Sequence, residues 1–285
     1  MDKKGHLYIV ATPIGNMEDI TLRAIRILAE ADVVAAEDTR NTARLLSHHD
    51  IRANLISYHE HNEAERTQHL IHKLEQGESV ALVSDAGTPC VSDPGYRLAR
   101  TAIEKGVRVI PIPGVSAAIT ALSASGLPTD AFTFIGFPPR KKGKRTDLLR
   151  TLQSEPRTLI FYESPRRIAA FAEELLDILG DRYAVLSREL TKVYEEFIRG
   201  NLSHILEEIR HRPAIKGEIT LLVGGFDAAA KEAVTAETLK AEIARSLDQK
   251  IKISEISKKI SKKYGLPRKE IYGEALNVQQ ERKSS

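Results

Sequence analysis

The chain has 285 residues, 42% hydrophobic and 28% charged, with a formal net charge of +3. At about 100–200 residues per domain this length predicts two domains with room for a small appendage, and the composition excludes a chain disordered throughout. No stretch offers the roughly 20 uninterrupted apolar residues of a membrane span, because the nearest candidate, residues 109–127, is broken by Pro111, Pro113 and Gly114. The single cysteine, Cys90, excludes an internal disulfide framework and any multi-cysteine metal site. The first residues run straight into a short apolar segment without signal-peptide organisation, so the expectation is a soluble, cytoplasmic protein.

Short β-branched runs then alternate with helical patterns. Residues 7–11 read as a strand that ends in the tight loop Thr12-Pro13-Ile14-Gly15-Asn16. Thr21 caps an amphipathic run through Leu22, Ile25, Ile27 and Leu28. Strands follow at 33–36, 55–57, 80–84 and 107–112, with a helix at 63–76 closed by Gly77. After Pro113-Gly114 the pattern restarts, with a helix at 116–125 and strands at 132–135, 158–162 and 183–187. A helix at 166–179 falls between the last two, and further strands at 193–200 and 218–223 flank a helix at 203–210. This alternation argues for an α/β architecture with a largely parallel sheet. The junction falls at residues 111–116, giving an N-terminal domain 1–112 and a second domain 113–226.

Residues 227–285 differ. Residues 226–236 are Ala-rich and read as a linker or helix start. Ile256, Ile260 and Tyr264 form a stripe spaced by four, Gly265 stops that helix, and Pro267 opens another carrying Ile271, Tyr272, Ala275 and Leu276. Two short helices around a glycine turn resemble a helix-turn-helix appendage. It is basic: residues 250–269 hold 8 lysines and arginines and the single acid Glu255. A second basic cluster, read as a loop, is Arg140, Lys141, Lys142, Lys144 and Arg145 after Pro138-Pro139. Two clusters on a near-neutral body predict contact with RNA or DNA rather than a merely solvated face.

Loops at the carboxyl ends of parallel strands are where α/β proteins bind ligands. Four such loops are rich in Gly, Pro and small polar residues: 12–16, 84–89, 92–95 and 111–117. None is a P-loop or a Gly-x-Gly-x-x-Gly fingerprint, which disfavours an ATPase or a dinucleotide dehydrogenase. Their backbones can approach a flat, adenosine-like ligand and grip it through main-chain groups. His59, His61, His69 and His72 with Glu60 and Glu63 fit no standard zinc spacing, so no metal is expected. Cys90 has no supported histidine partner and no Gly-x-Ser-x-Gly elbow exists, so covalent hydrolysis finds no support. What remains is a set of carboxylates with basic neighbours: Glu37-Asp38-Thr39-Arg40, Asp85, Asp93, Glu163 before Arg166-Arg167, and Arg188-Glu189-Leu190-Thr191-Lys192. A polar ring around a cleft and a set of structural ion pairs would both look like this.

Taken together the strings resemble a known family. Thr12–Asn16, residues 36–40, Ser57-Tyr58-His59-Glu60-His61-Asn62-Glu63, residues 84–95, 113–118, Gly136-Phe137-Pro138-Pro139-Arg140, residues 161–167 and 187–192 occur in the order seen in the bacterial small-subunit ribosomal RNA methyltransferase I family, within the tetrapyrrole methylase (class III) superfamily. The resemblance runs from Leu7 to about Gly225, with a further match in the basic tail. It implies S-adenosylmethionine-dependent methylation of the ribose 2′-hydroxyl of a decoding-centre cytidine in small-subunit rRNA, free or in an assembled subunit. It also implies two α/β domains of tetrapyrrole-methylase type with the cofactor in the cleft between them, and a homodimer. Gly87-Thr88-Pro89 stands where the superfamily has Gly-Asp-Pro, so Asp85 is the carboxylate left to take over part of that role. Cofactor contact is carried onto Pro13, Val91, Ser116 and Ala117, and further onto Tyr162, Glu163, Leu190 and Ile219.

Methyl transfer from a sulfonium is an in-line displacement that needs neither a metal nor an enzyme nucleophile, in keeping with the residues. Asp93, Glu163, Glu189 and Lys192 are the candidates for removing or orienting the hydroxyl proton. Arg40, Arg166 and Arg188 would hold RNA phosphates. The 140–145 cluster and Lys258, Lys259, Lys262 and Lys263 would add longer-range grip. The rival expectations are a tetrapyrrole or other small-molecule methylase, a non-catalytic RNA-binding assembly factor, and a metal-dependent phosphohydrolase resting on the histidines.

Overall fold

A computed structural model describes residues 4–227, 236–249 and 251–284; most of the 226–236 linker lies outside them. The chain divides into two compact units: one runs to Thr120 and takes in Leu190–Val193, the other holds Ala121–Glu189 and the chain from Tyr194 onward. The division falls inside a helix, eight residues beyond the end of the first predicted domain, and the C-terminal helices group with the second unit.

The first unit is built on five parallel strands, β1 (His6–Val10), β2 (Val33–Ala36), β3 (Leu55–Ser57), β4 (Val80–Val83) and β5 (Arg108–Ile112), in the order β3-β2-β4-β1-β5. Between them run α1 (Leu22–Glu30), α2 (Thr39–His48), α3 (Glu63–Glu75) and α4 (Tyr96–Glu104). Because side chains alternate along a strand, Val33, Ala35, Val80 and Leu82 bury against α3 and α4, while Val34, Ala36, Ala81 and Val83 bury against α1 and α2. Both faces being covered is why these strands read as unbroken apolar runs. Thr21 caps α1, its hydroxyl accepting from Ala24 N–H at 3.1 Å. α2 escaped the sequence reading, since its start is the polar string Thr39-Arg40-Asn41-Thr42; Asp38 caps it by accepting from Arg40 N–H at 2.9 Å.

The strand order places a switch point between β1 and β4. The helix after β1 packs on one face of the sheet and the helix after β4 on the other, which opens a crevice at the carboxyl ends of these two strands. The loops bordering it are held together: Thr12 and Gly87 exchange both backbone hydrogen bonds at 2.9 Å, an isolated bridge outside the sheet.

In the second unit α5 (Ala117–Ser123) leads to β6 (Phe132–Gly136), α6 (Lys142–Thr151), β7 (Thr158–Glu163), α7 (Ile168–Leu179), β8 (Tyr183–Arg188), β9 (Glu196–Asn201), α8 (Leu202–Arg210) and β10 (Ile219–Val223). The sheet order is β6-β7-β10-β8-β9, and only β6 and β7 are parallel. The expectation of a largely parallel sheet therefore holds for the first unit and not for the second, because an apolar run carries no mark of strand direction. Phe161, Leu186 and Leu221 pack with Phe171, Leu175 and Ile205 beneath α7 and α8. The 140–145 cluster is not a loop throughout: Lys142 onward is the first turn of α6, since lysine and arginine are good helix formers.

The C-terminal region adds α9 (Ala236–Asp248), α10 (Ile253–Tyr264) and α11 (Arg268–Ser284). Gly265 ends α10, its N–H bonding Ser261 O. Ile243, Ile256, Ile260, Leu266, Ile271 and Ala275 form a core of their own, and α11 also packs on α7. No described helix is long and apolar enough to cross a membrane.

Candidate active site

In the first unit the crevice between β1 and β4 brings together most of the polar loops. Gly87 has φ +80°, a left-handed conformation that favours glycine, and from it the 84–91 loop makes its backbone bridge to Thr12. The Thr88 hydroxyl donates to Val115 O at 3.1 Å, tying the 84–91 loop to the segment that leads into Ser116 and Ala117 at the start of α5. Pro13, Gly87, Thr88, Pro89, Ser116 and Ala117 thus belong to loops joined by direct hydrogen bonds, and Val91 stands exposed on the next turn. These loops supply main-chain groups and small side chains, a surface that fits an adenosine-like group.

Beside them is a cavity of about 250 Å³ lined by Thr12–Gly15, Met17, the first turns of α2 and Ser84–Ala86. Asp85 holds its polar edge. One carboxylate oxygen accepts from Asp38 N–H at 3.0 Å and the other from Asn41 Nδ2 at 3.2 Å, while Asp85 N–H donates to Glu37 at 3.3 Å. Asp93 lies half-buried nearby: burial raises its carboxyl to about 6, and the charges of Glu37 and Asp85 add to the rise. Burial likewise pushes the Cys90 thiol up to about 11, so it is no thiolate nucleophile at neutral pH. Lys192 comes from the 190–193 segment, where its stem covers Gly15; a Cβ on that glycine would lie 2.5 Å from Lys192 Cγ. Leu190 in the same segment is buried. Arg40 clasps Asp38 with two hydrogen bonds, at 3.0 and 2.6 Å, yet its side chain is 85% exposed.

In the second unit Tyr162 stands on β7 against Phe134 and Phe137, and Ile219 on β10 is paired opposite Glu163. The Glu163 side chain is only 1% exposed and its Oε1 is committed to Arg167 at 2.6 Å and to Ser164 N–H at 2.6 Å. Glu189 accepts from Glu218 N–H at 3.0 Å and packs on Gly217. Arg188 and Arg212 share Glu196, which their hydrogen bonds, Arg212's first, hold down near 2. Arg145 pairs with Glu174 at 2.7 Å and Lys263 with Glu242 at 2.8 Å. Arg140, Lys141, Lys142, Lys144, Arg166, Lys258, Lys259 and Lys262 are exposed. Asn41 and Arg44 were not singled out by the sequence; a helix cap at Asp38 was the signal that would have placed both.

The fold agrees with the comparisons. The model of the tetrapyrrole (corrin/porphyrin) methylases matches residues 6–206. A protein of Halalkalibacterium halodurans named ribosomal RNA small subunit methyltransferase I is 49% identical over 274 residues, covering 95% of this chain and 94% of that one. The chain belongs to this methyltransferase family. An Escherichia coli O157:H7 member with the same name is 48% identical over 241 residues, 84% of each chain. Among solved structures, uroporphyrin-III C-methyltransferase from Thermus thermophilus, complexed with S-adenosylhomocysteine, superposes with a TM-score of 0.54 at 22% identity, covering 76% of this chain and 97% of that one. A cobalt precorrin-4 methyltransferase gives 0.56 at 19%, covering 77% and 94%. At these identities the structures speak for the fold, while the family's sequences tie it to methyl transfer.

Proposed function

We propose that the chain is a cytoplasmic, S-adenosylmethionine-dependent methyltransferase that modifies the ribose 2′-hydroxyl of a cytidine in the decoding centre of small-subunit ribosomal RNA. The observation that carries this reading is the Thr12–Gly87 bridge, which joins a backbone-lined cradle to a neighbouring cavity with a polar edge in a chain whose relatives are rRNA methyltransferases. The bound cofactor supplies an electrophilic methyl group on a sulfonium. Gly87, Thr88, Pro89, Val91, Ser116 and Ala117 hold it in the first unit, together with Pro13 and Leu190.

The chain's own task is to align the hydroxyl oxygen, keep water out and take a proton. Alignment contributes on the order of several kcal/mol, and a positioned base about 10²–10⁴-fold. Asp93 is the proposed base: with its carboxyl near 6 it is ionised at neutral pH yet more basic than a solvated aspartate. Lys192, whose stem crosses Gly15, orients the same hydroxyl. Glu163 and Glu189 are tied to Arg167 and Glu218, which favours a supporting part for both. Arg40, Arg166 and the exposed lysines of α6 and α10 grip phosphates. The protein works as a homodimer, for which Leu22, 86% exposed, and Val193, 94% exposed, are available apolar contacts.

The test is methylation of small ribosomal subunits, and of their naked RNA, from a strain lacking the gene, followed by nuclease digestion and mass mapping. Appearance of one 2′-O-methylcytidine is the expected result. Methyl groups on bases alone, or no incorporation into either substrate, would overturn the proposal.

A further inference from the structure

The cavity at the ends of β1 and β4 is not accounted for by the cofactor. Its volume, about 250 Å³, falls below the roughly 300–1,000 Å³ of clefts that enclose a whole cofactor-sized ligand. Of the residues carried over to the cofactor, only Pro13 and Asp85 line it. Ile14 and Leu45 give it buried apolar walls, and Met17, 38% exposed, stands at its rim. Apolar walls around one polar edge suit a flat heteroaromatic ring.

The polar edge is specific. Each Asp85 oxygen accepts one hydrogen bond from the protein, which fixes the carboxylate and leaves about half of its four acceptor sites for a ligand. Asn41 spends one amide N–H on Asp85 and keeps another. An acceptor beside a donor complements cytosine, which offers its N4 amino group beside ring acceptors; uracil would set a carbonyl oxygen against the Asp85 carboxylate. Arg44 also lines the cavity, and Arg40 lies four residues earlier on α2, so two cations stand on one helix face where flanking phosphates would pass. An enzyme acting on one nucleotide draws it out of the stack into such a pocket.

We propose that this cavity receives the extrahelical cytosine of the substrate RNA, Asp85 accepting from its amino group and Asn41 donating to its ring edge. The inference rests on the rRNA methylation reading above, and it moves Asp85 from cofactor to substrate.

The experiment measures methylation of small subunits and S-adenosylmethionine affinity for the wild type, Asp85→Asn and Leu45→Phe, with substrate carrying cytidine or uridine at the mapped nucleotide. In the wild type, uridine lowers kcat/KM about tenfold to a hundredfold. Asp85→Asn loses a similar factor on cytidine and most of the discrimination against uridine. Leu45→Phe, which adds bulk at an apolar lining position that makes none of the Asp85 hydrogen bonds, also lowers kcat/KM, and both variants keep wild-type cofactor affinity. The assignment is overturned if Asp85→Asn weakens cofactor binding tenfold, if wild-type discrimination survives in it, or if Leu45→Phe methylates normally. A wild-type protein that methylates neither substrate sinks the underlying reading and this one with it, whereas normal wild-type methylation with indifferent variants sinks this one alone.

Discussion

Glu63 Oε1 accepts the backbone N–H of Gly95 at 3.2 Å and the hydroxyl of Tyr58 at 3.0 Å. This ties the start of α3 to the end of the loop that carries Val91 and Asp93. That loop needs tying: Cys90 and Ser92 have φ of 69° and 67° and Gly95 has 132°, conformations that L-residues avoid and that persist only where the surroundings impose them. The string Ser57–Glu63, distinctive in the sequence without an evident chemical role, thereby acquires one as an anchor.

Glu63→Ala strands the Gly95 N–H and removes one Tyr58 partner, a loss of about 1–3 kcal/mol. Glu63→Gln keeps an acceptor and loses less. Urea unfolding separates them: the alanine variant should show a lower midpoint, and turnover should fall in the same order. Equal stability of the alanine variant and wild type would show that the loop holds its shape unaided.

As the proposed base, Asp93 links activity and stability to pH in opposite directions. Its carboxyl is raised from 3.8 to about 6 in the fold, so the native state binds more protons than the unfolded one between these values. Stability then declines as pH rises through this window. Asp93→Asn should melt higher than wild type at pH 8 and equally below pH 4. If Asp93 is the base, single-turnover rates rise with a midpoint near 6 and the variant loses that limb. A rate profile unchanged by the substitution would remove Asp93 from the chemistry.

Gly15→Ala tests the position of Lys192. The added methyl would meet Lys192 Cγ at 2.5 Å and Thr191 Oγ1 at 2.9 Å, so the 190–193 segment must shift. A displacement of about 1 Å in an alignment group can cost on the order of 10²-fold in rate. Rapid-quench turnover should fall by at least tenfold while the thermal midpoint of unfolding changes little. Normal turnover would mean that Lys192 need not sit against Gly15.

Neighbouring members of the basic cluster should behave differently. Arg145 and Glu174 are 15% and 10% exposed, and removing one partner of a buried pair costs about 3–5 kcal/mol. Arg145→Ala should therefore unfold at lower denaturant. Lys144→Ala, at an exposed position, should keep its stability and reduce the salt slope of RNA binding by about one unit. Identical effects of the two in both assays would contradict the pairing.

The sequence by itself determined the α/β class, nearly every strand, the loops at the strand ends, and, through ordered strings from residue 12 to 192, the family. These are local signals: side-chain alternation, glycine and proline in turns, caps such as Thr21. Tertiary structure decided which charges are engaged. Glu163 and Arg166 look adjacent on paper, yet Glu163 pairs with Arg167; Arg145 sits in a basic run, yet turns onto Glu174. It also set the direction of β8 and β10 and assembled a cavity from residues 12–17, 41–45 and 84–86. Periodicity reports a neighbour three or four positions away, whereas the Arg145–Glu174 pair and the cavity wall depend on chain crossings dozens of residues apart, which no local pattern encodes.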